Sequence, residues 1–291
     1  MKKILLINGG VKKFAEEFLA SCKKNNLECA RIRTHFNSVL LLDNSKIKYV
    51  HLGEEIDLKS FKYAFIRVRG RYSHFTSLLG YILKAYNITF NDVSNLDHTM
   101  GDEKITQMVR FALSGIPIPK TLIFSLDSFP KNRDFILENT SFPCVLKTNG
   151  SKGRDVWKIN DAAELEEKMS SIEQELVMVQ ELVPNSYDIR ALFFYGELLG
   201  AVERSSTDGF YNNAAKGGKL KETKLSKEEI NLSKKACEVL DLDFGGVDFV
   251  RTEKGILFFE VNKGPQIYGL ESATGLDIPD LVVQKIIDRF L

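Results

Sequence analysis

The stretch Phe244 to Asn262, FGGVDFVRTEKGILFFEVN, restricts the fold more than any other part of this 291-residue chain. Two apolar runs flank a turn signal, which is the pattern of a β-hairpin. Pairing Thr252 with Ile256 leaves Glu253, Lys254 and Gly255 as a three-residue loop, whose last position needs the left-handed backbone that glycine adopts freely. Asp248 then lies opposite Glu260. Because side chains alternate across a strand, Asp248 and Val250 are expected to share a face with Phe258, Glu260 and Asn262. Two carboxylates and an amide oxygen converge there, a hard-oxygen donor set suited to Mg²⁺ or Mn²⁺ shared with a phosphate. An edge hairpin carrying solvated acids is the alternative that spacing alone leaves open.

The length suggests about two domains. A composition of 44% hydrophobic and 27% charged residues is that of an ordinary globular protein, and a formal net charge of +1 gives no reason to expect a nucleic-acid or membrane partner. Cys22, Cys29, Cys144 and Cys237 form no C-x-x-C pair, which suggests a reduced, intracellular protein. Met1-Lys2-Lys3 precedes only the four apolar residues Ile4 to Ile7, whereas a secretory core needs about 7–15. The cytoplasm is the expected compartment.

From the first residue onward, Lys3 to Asn8 is a continuous apolar strand that ends in Gly9-Gly10. Val11, Phe14, Ala15, Phe18 and Leu19 then recur at helical spacing. Short strands are expected at Cys29–Arg33, Val39–Leu42, Lys46–Val50, Tyr63–Val68 and Ile88–Phe90, with a helix at Ser77–Tyr86. This alternation predicts an open α/β domain with a parallel sheet over residues 1–95. Ligands of such sheets sit beyond the carboxyl ends of the strands, and Arg67, Arg69 and Arg71 lie at such an end. Arg69 and Arg71 are candidates for gripping a substrate carboxylate, with solvated surface arginines as the alternative.

A second α/β segment opens with a helix at Lys104–Ser114. Pro143 to Lys147 reads as a strand that ends in a lysine and runs into Thr148-Asn149-Gly150-Ser151-Lys152-Gly153-Arg154. Backbone N–H groups of such a loop can close over a polyphosphate while the lysine supplies charge, although the pattern is not a Walker A. An exposed hairpin loop is equally compatible. Asp188 to Phe194 and Glu197 to Arg204 read as a hairpin around Gly196, with Asp188, Arg190 and Arg204 inside otherwise apolar strands. Buried charges are expensive unless partnered or used.

Lys104, Lys147, the glycine loop, VQELV, DIR, AAKGG, GGVDFV, FFEVN and ESATGLDI follow one another in an order that resembles the ATP-grasp superfamily. More specifically, it looks like the RimK-type carboxylate-amine ligases, from about Lys104 to Leu291. The resemblance implies a mixed α/β ATP-grasp fold behind an N-terminal open α/β domain (1–95), with central (96–180) and C-terminal (181–291) subdomains. It implies ATP and Mg²⁺ as cofactors, with Lys104, Lys147, Gly150, Ser151, Gly153, Asp188 and Asn213 on the nucleotide. Adenine would bond the backbone near Glu181 and Leu182. Asp248, Glu260 and Asn262 match the metal ligands, and Arg190 and Arg204 match arginines that face the phosphates and an acyl phosphate. The implied reaction makes an amide from a carboxylate and an amine, on amino acid, peptide or protein substrates, in a monomer or a homo-oligomer. Two departures, Tyr211-Asn212-Asn213 where the family has R-S-N and Lys263 to Tyr268 after the EVN run, keep open a non-catalytic ATP-binding module and an ester- or amide-forming peptide cyclase.

Overall fold

The opening run KILLIN forms β1 (Lys3–Asn8), which is buried at every position after Lys3. Continuous burial requires cover on both faces, as in a parallel sheet between layers. The structure is a computed structural model and describes residues 2–9, 12–33, 38–43, 46–67, 73–96, 104–148, 156–205 and 219–291. After β1 come α1 (Lys12–Lys24), β2 (Glu28–Ile32), β3 (Ser38–Asp43), β4 (Lys46–His51), β5 (Glu54–Ile56), β6 (Tyr63–Arg67), α2 (Ser73–Ala85) and β7 (Thr89–Phe90). The parallel sheet has the order β2-β1-β6-β7.

The expected alternation holds for β1-α1-β2 and β6-α2-β7. It fails between them, where β3, β4 and β5 form a separate antiparallel sheet. Tyr49 of that small sheet, with Leu40, Ile47 and Ile56, joins Leu79 and Leu83 of α2 in covering Leu5, Ile7, Ala64 and Ile66. Phe14, Ala15, Phe18 and Cys22 of α1 cover the opposite face.

The chain continues through α3 (Lys104–Leu113), β8 (Thr121–Ser125), α4 (Phe129–Asn139), β9 (Cys144–Thr148), β10 (Val156–Ile159), α5 (Ala162–Met169) and β11 (Leu176–Glu181). Their antiparallel sheet runs β10-β9-β11-β8, packed on α4 and α5. A second antiparallel sheet, β14-β13-β12-β15-β16, is made by β12 (Tyr187–Phe194), β13 (Glu197–Ser205), β14 (Lys219–Glu222), β15 (Phe244–Thr252) and β16 (Gly255–Lys263), with α6 (Lys227–Val239) inserted before β15. A Ser226–Glu229 capping box starts α6.

Beyond Asn262 no element is expected from the periodicity above, yet α7 (Tyr268–Thr274) and α8 (Ile278–Phe290) form there. Asp277 caps α8 by accepting the Asp280 N–H, with Pro279 in the first turn. The buried side chains Val282, Val283 and Ile286 of α8 join the core that holds Phe14 and Phe18 of α1. Each such side chain stabilises the fold by about 1.5–3 kcal/mol. Polar contacts set the register: Ser21 donates to Asp280 at 2.5 Å, and Gln284 donates to Asn25 at 2.8 Å. The same core continues into Leu192, Phe194, Leu199 and Val202 of the five-stranded sheet.

Asp92 makes a second junction, between the end of the parallel sheet and the start of β15. It follows β7 with a left-handed backbone (φ 58°), and its carboxylate accepts the N–H groups of Asp243 (2.7 Å) and Phe244 (2.8 Å). In return the Asp92 N–H donates to the Asp243 carboxylate at 2.8 Å. Burial, first of all, pushes the Asp92 carboxyl up to about 7 against the pull of those N–H groups. Among the described residues no helix is long and apolar enough to cross a membrane.

Candidate active site

Asp248 of β15 does lie opposite Glu260 of β16, but by a different route from the one expected. Thr252 pairs with Gly255, leaving a two-residue loop of Glu253 and Lys254, and Gly255 takes the positive φ of 122°. A β-bulge then leaves Phe259 without an opposite residue, since Asp248 pairs with Glu260 and Phe249 with Phe258. The shorter turn and the extra residue offset each other at Asp248. They do not offset at Phe258, whose ring packs on Phe249 in the core, so the expectation that Phe258 shares the carboxylate face is corrected. The bulge has a visible cause: Phe258 and Val261, three apart, both point into one core.

Across the five-stranded sheet, cross-strand pairing sets charge against charge. Asp188 lies opposite Arg204, and Arg190 opposite Asp248. Arg190 grips Asp248 through both Nε (2.7 Å) and Nη2, while Arg204 holds Asp188 through Nε (2.6 Å) and Nη2 (2.8 Å) and reaches Asp248 at 3.1 Å. Such bidentate charge-assisted pairs are what make buried charge tolerable. Burial alone would raise the Asp248 carboxyl; Arg190 and then Arg204 outweigh it and hold the group below the usual carboxylate range. Burial also works against the charge on Arg204, but Asp248 and Asp188 outweigh it and raise that guanidinium. At Asp188 burial prevails and lifts the carboxyl above its ordinary value.

The row continues onto other elements. Lys104, at the first turn of α3, pairs with Glu260 at 3.0 Å. Lys147 of β9 approaches the ring of Phe259 at 5.8 Å and donates to Gln180 at 2.6 Å. Burial first, and Lys104 second, bring the Lys147 ammonium down to about 8. Asn262 donates to Glu260 (2.9 Å) and Asp248 (3.2 Å), so its amide is within reach of both carboxylates. With the amide turned to present its oxygen, two carboxylates and one carbonyl form a hard-oxygen set that fits Mg²⁺. Among the described residues, the three carboxylates Asp188, Asp248 and Glu260 thus stand against the four cations Arg190, Arg204, Lys104 and Lys147. That excess of positive charge suits a polyphosphate.

Other expected site residues are placed differently or not described. Gly150, Ser151, Gly153, Asn213, Arg69 and Arg71 lie outside the described residues. Glu181 ends β11 with its N–H already donating to the Lys120 carbonyl at 2.9 Å, which leaves Leu182 as the first residue past the ladder. Arg67, at the end of β6, is turned into the protein. It is 7% exposed, stacks over Phe14 at 4.5 Å and donates to the Pro265 carbonyl at 2.7 Å. Pro265 in turn sits so close to Gly246 that a Cβ there would lie 2.6 Å from it, so the segment after Asn262 docks directly on β15. Gln180 escaped the sequence reading of the site. Its signal is a lone amide at the end of the apolar run LVMVQ, on a strand paired with the one that carries Lys147.

Comparison with known proteins identifies the family and the fold. Residues 101–287 match the model of the RimK-like ATP-grasp domain. A probable alpha-L-glutamate ligase of Parasynechococcus marenigrum (strain WH8102) is 33% identical over 193 residues, 63% of this chain and 40% of that protein. The chain spans less than two thirds of the length of the curated relatives it matches. Among solved structures, the ATP-grasp ligase PsnB complexed with minimal precursor, Mg and ADP superposes with a TM-score of 0.75 at 15% identity, covering 99% of this chain and 97% of that one. A RiPP-associated ATP-grasp ligase of Chryseobacterium gregarium, in complex with ADP and a leader and core peptide, gives 0.74 at 16% identity over 98% and 97% of the two chains. The mixed α/β architecture is the ATP-grasp fold, and this chain belongs to the RimK-like ATP-grasp family.

Proposed function

We propose that this chain joins a carboxylate to an amine at the expense of ATP, through an acyl phosphate, releasing ADP and phosphate. One observation carries the reading: Asp248, Glu260 and Asn262 meet at one end of a hairpin and face Arg190, Arg204, Lys104 and Lys147. Phosphoryl transfer needs positioning and charge neutralisation more than a protein nucleophile. Mg²⁺ held by Asp248, Glu260 and Asn262 would supply Lewis-acid neutralisation of the phosphate oxygens.

The remaining work falls to the chain's own side chains. Lys104 and Lys147 bind phosphate oxygens, under a cover made by Gly150, Ser151 and Gly153, with Asn213 beside the triphosphate. Glu181 and Leu182 offer backbone to adenine, and Asp188 orients the nucleotide through Arg204. A substrate carboxylate oxygen attacks the γ-phosphorus and the bond to the ADP oxygen breaks. The amine nitrogen then attacks the acyl carbon, phosphate leaves, and the amine proton passes to the phosphate or to water. Arg190 and Arg204 stabilise the charge that gathers on the transferring phosphoryl group and on the acyl phosphate. Residues 96–180 and 181–291 supply the nucleotide site from two sides, and residues 1–95 the acceptor side, where Arg69 and Arg71 grip a carboxylate. A peptide acceptor is favoured by the nearly full-length likeness to a ligase that holds a leader and core peptide, because that likeness extends over the region before residue 101, outside the family model. The cytoplasm is the compartment this reading requires.

The test is ADP release with Mg·ATP and pools of amino acids, dipeptides and acidic peptides, for the parent, Lys147→Ala and Glu260→Gln. Turnover with one pool that disappears in both variants is expected. ATP binding with no turnover in any pool would favour the non-catalytic module instead.

A further inference from the structure

We infer that Gln180 is the positioning residue that aims the Lys147 ammonium at the phosphates of bound nucleotide, as an uncharged acceptor locked in one orientation by Thr121. The inference rests on the nucleotide reading of the site.

Gln180 is 1% exposed, on a strand between β8 and β9. It lies opposite Thr121 on one side and Val145 on the other, so Lys147, two residues further along β9, is its diagonal neighbour on the same face. Side-chain amides look alike from either end, and here the proton count decides which end faces the lysine. The Thr121 hydroxyl has one proton and donates it to the Pro119 carbonyl at 2.7 Å. Toward Gln180 it can therefore only accept, and it takes the Nε2–H at 3.0 Å. The Gln180 carbonyl oxygen must then face Lys147, 2.6 Å from Nζ. The second N–H of the same Nε2 donates to Met108 Sδ at 3.6 Å, on the helix that begins with Lys104.

The choice of an amide has a consequence for charge. A glutamate at 180 would hold the ammonium in an ion pair and compete with the phosphate for it. A hydrocarbon would leave a buried ammonium without this acceptor, and the group would shed its proton or reorient. An amide fixes the direction of the lysine and leaves its positive charge for the ligand.

Binding of ATP, ADP and adenosine to the parent, Gln180→Glu, Gln180→Met, Thr121→Val and Thr121→Ser tests this, with thermal melting as a control for folding. Gln180→Glu and Gln180→Met are expected to weaken ATP and ADP by about tenfold or more and to leave adenosine unchanged, because only the phosphates meet Lys147. Thr121→Val, which frees the amide to turn, should weaken ATP several-fold, and Thr121→Ser should restore the loss. Equal weakening of adenosine and ATP, or parental ATP affinity in both Gln180 variants, would overturn the positioning role while leaving the nucleotide site standing. A parent that binds no nucleotide at all would overturn the site reading and this inference with it.

Discussion

Asp92 and Asp248 are both almost wholly buried, at 2% and 4% exposure, and burial acts on them in opposite company. Asp248 faces two guanidinium groups and stays ionised. Asp92 holds two backbone N–H groups and the amide of Asn91, and its carboxyl climbs to about 7. Where charge has work to do, the fold supplies cations as near neighbours. Where a carboxyl only ties the end of the parallel sheet to the start of β15, the fold lets its proton affinity rise. The same chemical group thus serves as an anion in one region and as a titrating clasp in the other.

The comparison breaks most visibly at Asp248. Asp248→Asn should abolish ADP release, a loss of about a thousandfold or more, and cost about 3–5 kcal/mol of stability because Arg190 and Arg204 lose a buried counter-charge. Denaturant unfolding beside a coupled ADP assay checks both, and parental turnover would remove Asp248 from the site. Glu260→Gln should match that loss of turnover but shift stability by no more than about 1 kcal/mol, because its pair with Lys104 is partly solvated. A large stability loss there would mean that the row is mainly structural.

Asp92→Asn tests the other region. Between the ordinary carboxylate value and about 7, folded protein binds more protons at Asp92 than unfolded chain does, so parental stability should fall as pH rises through that window. The slope contributed is at most about 1.4 kcal/mol per pH unit, and the asparagine variant should be flatter. Identical pH profiles would assign the titration elsewhere. The smallest effect concerns Lys147, whose ammonium loses its proton above about 8. ATP affinity should decline, by less than about tenfold per pH unit, as pH rises through that value, and Lys147→Arg should be insensitive because a guanidinium stays charged.

Much of the hairpin that carries Asp248, Glu260 and Asn262 was legible from sequence because a strand alternates with period two and these three are short-range neighbours. The loop length and the bulge were not, since each depends on which residues the opposing core demands, here Phe258 and Val261. Arg67 illustrates a second limit. The rule for parallel sheets places it at the carboxyl end of β6 correctly, but its direction is set by Pro265, nearly two hundred residues away. In the small β3–β5 sheet, β3 and β4 read as two ordinary strands, while the three-residue β5 is too short to show in the periodicity and forms only by pairing with β4. The capping signals of α8, by contrast, stand in the sequence as Asp277, Pro279 and Asp280.

The docking of α8 on α1 also bears on how the protein is made. Phe14 and Phe18 of α1 leave the ribosome well before Val282, Val283 and Ile286 of α8, which share their core. At roughly 5–20 residues per second, synthesis of the intervening chain takes on the order of ten to fifty seconds. Through that interval the first helix keeps part of its apolar surface uncovered.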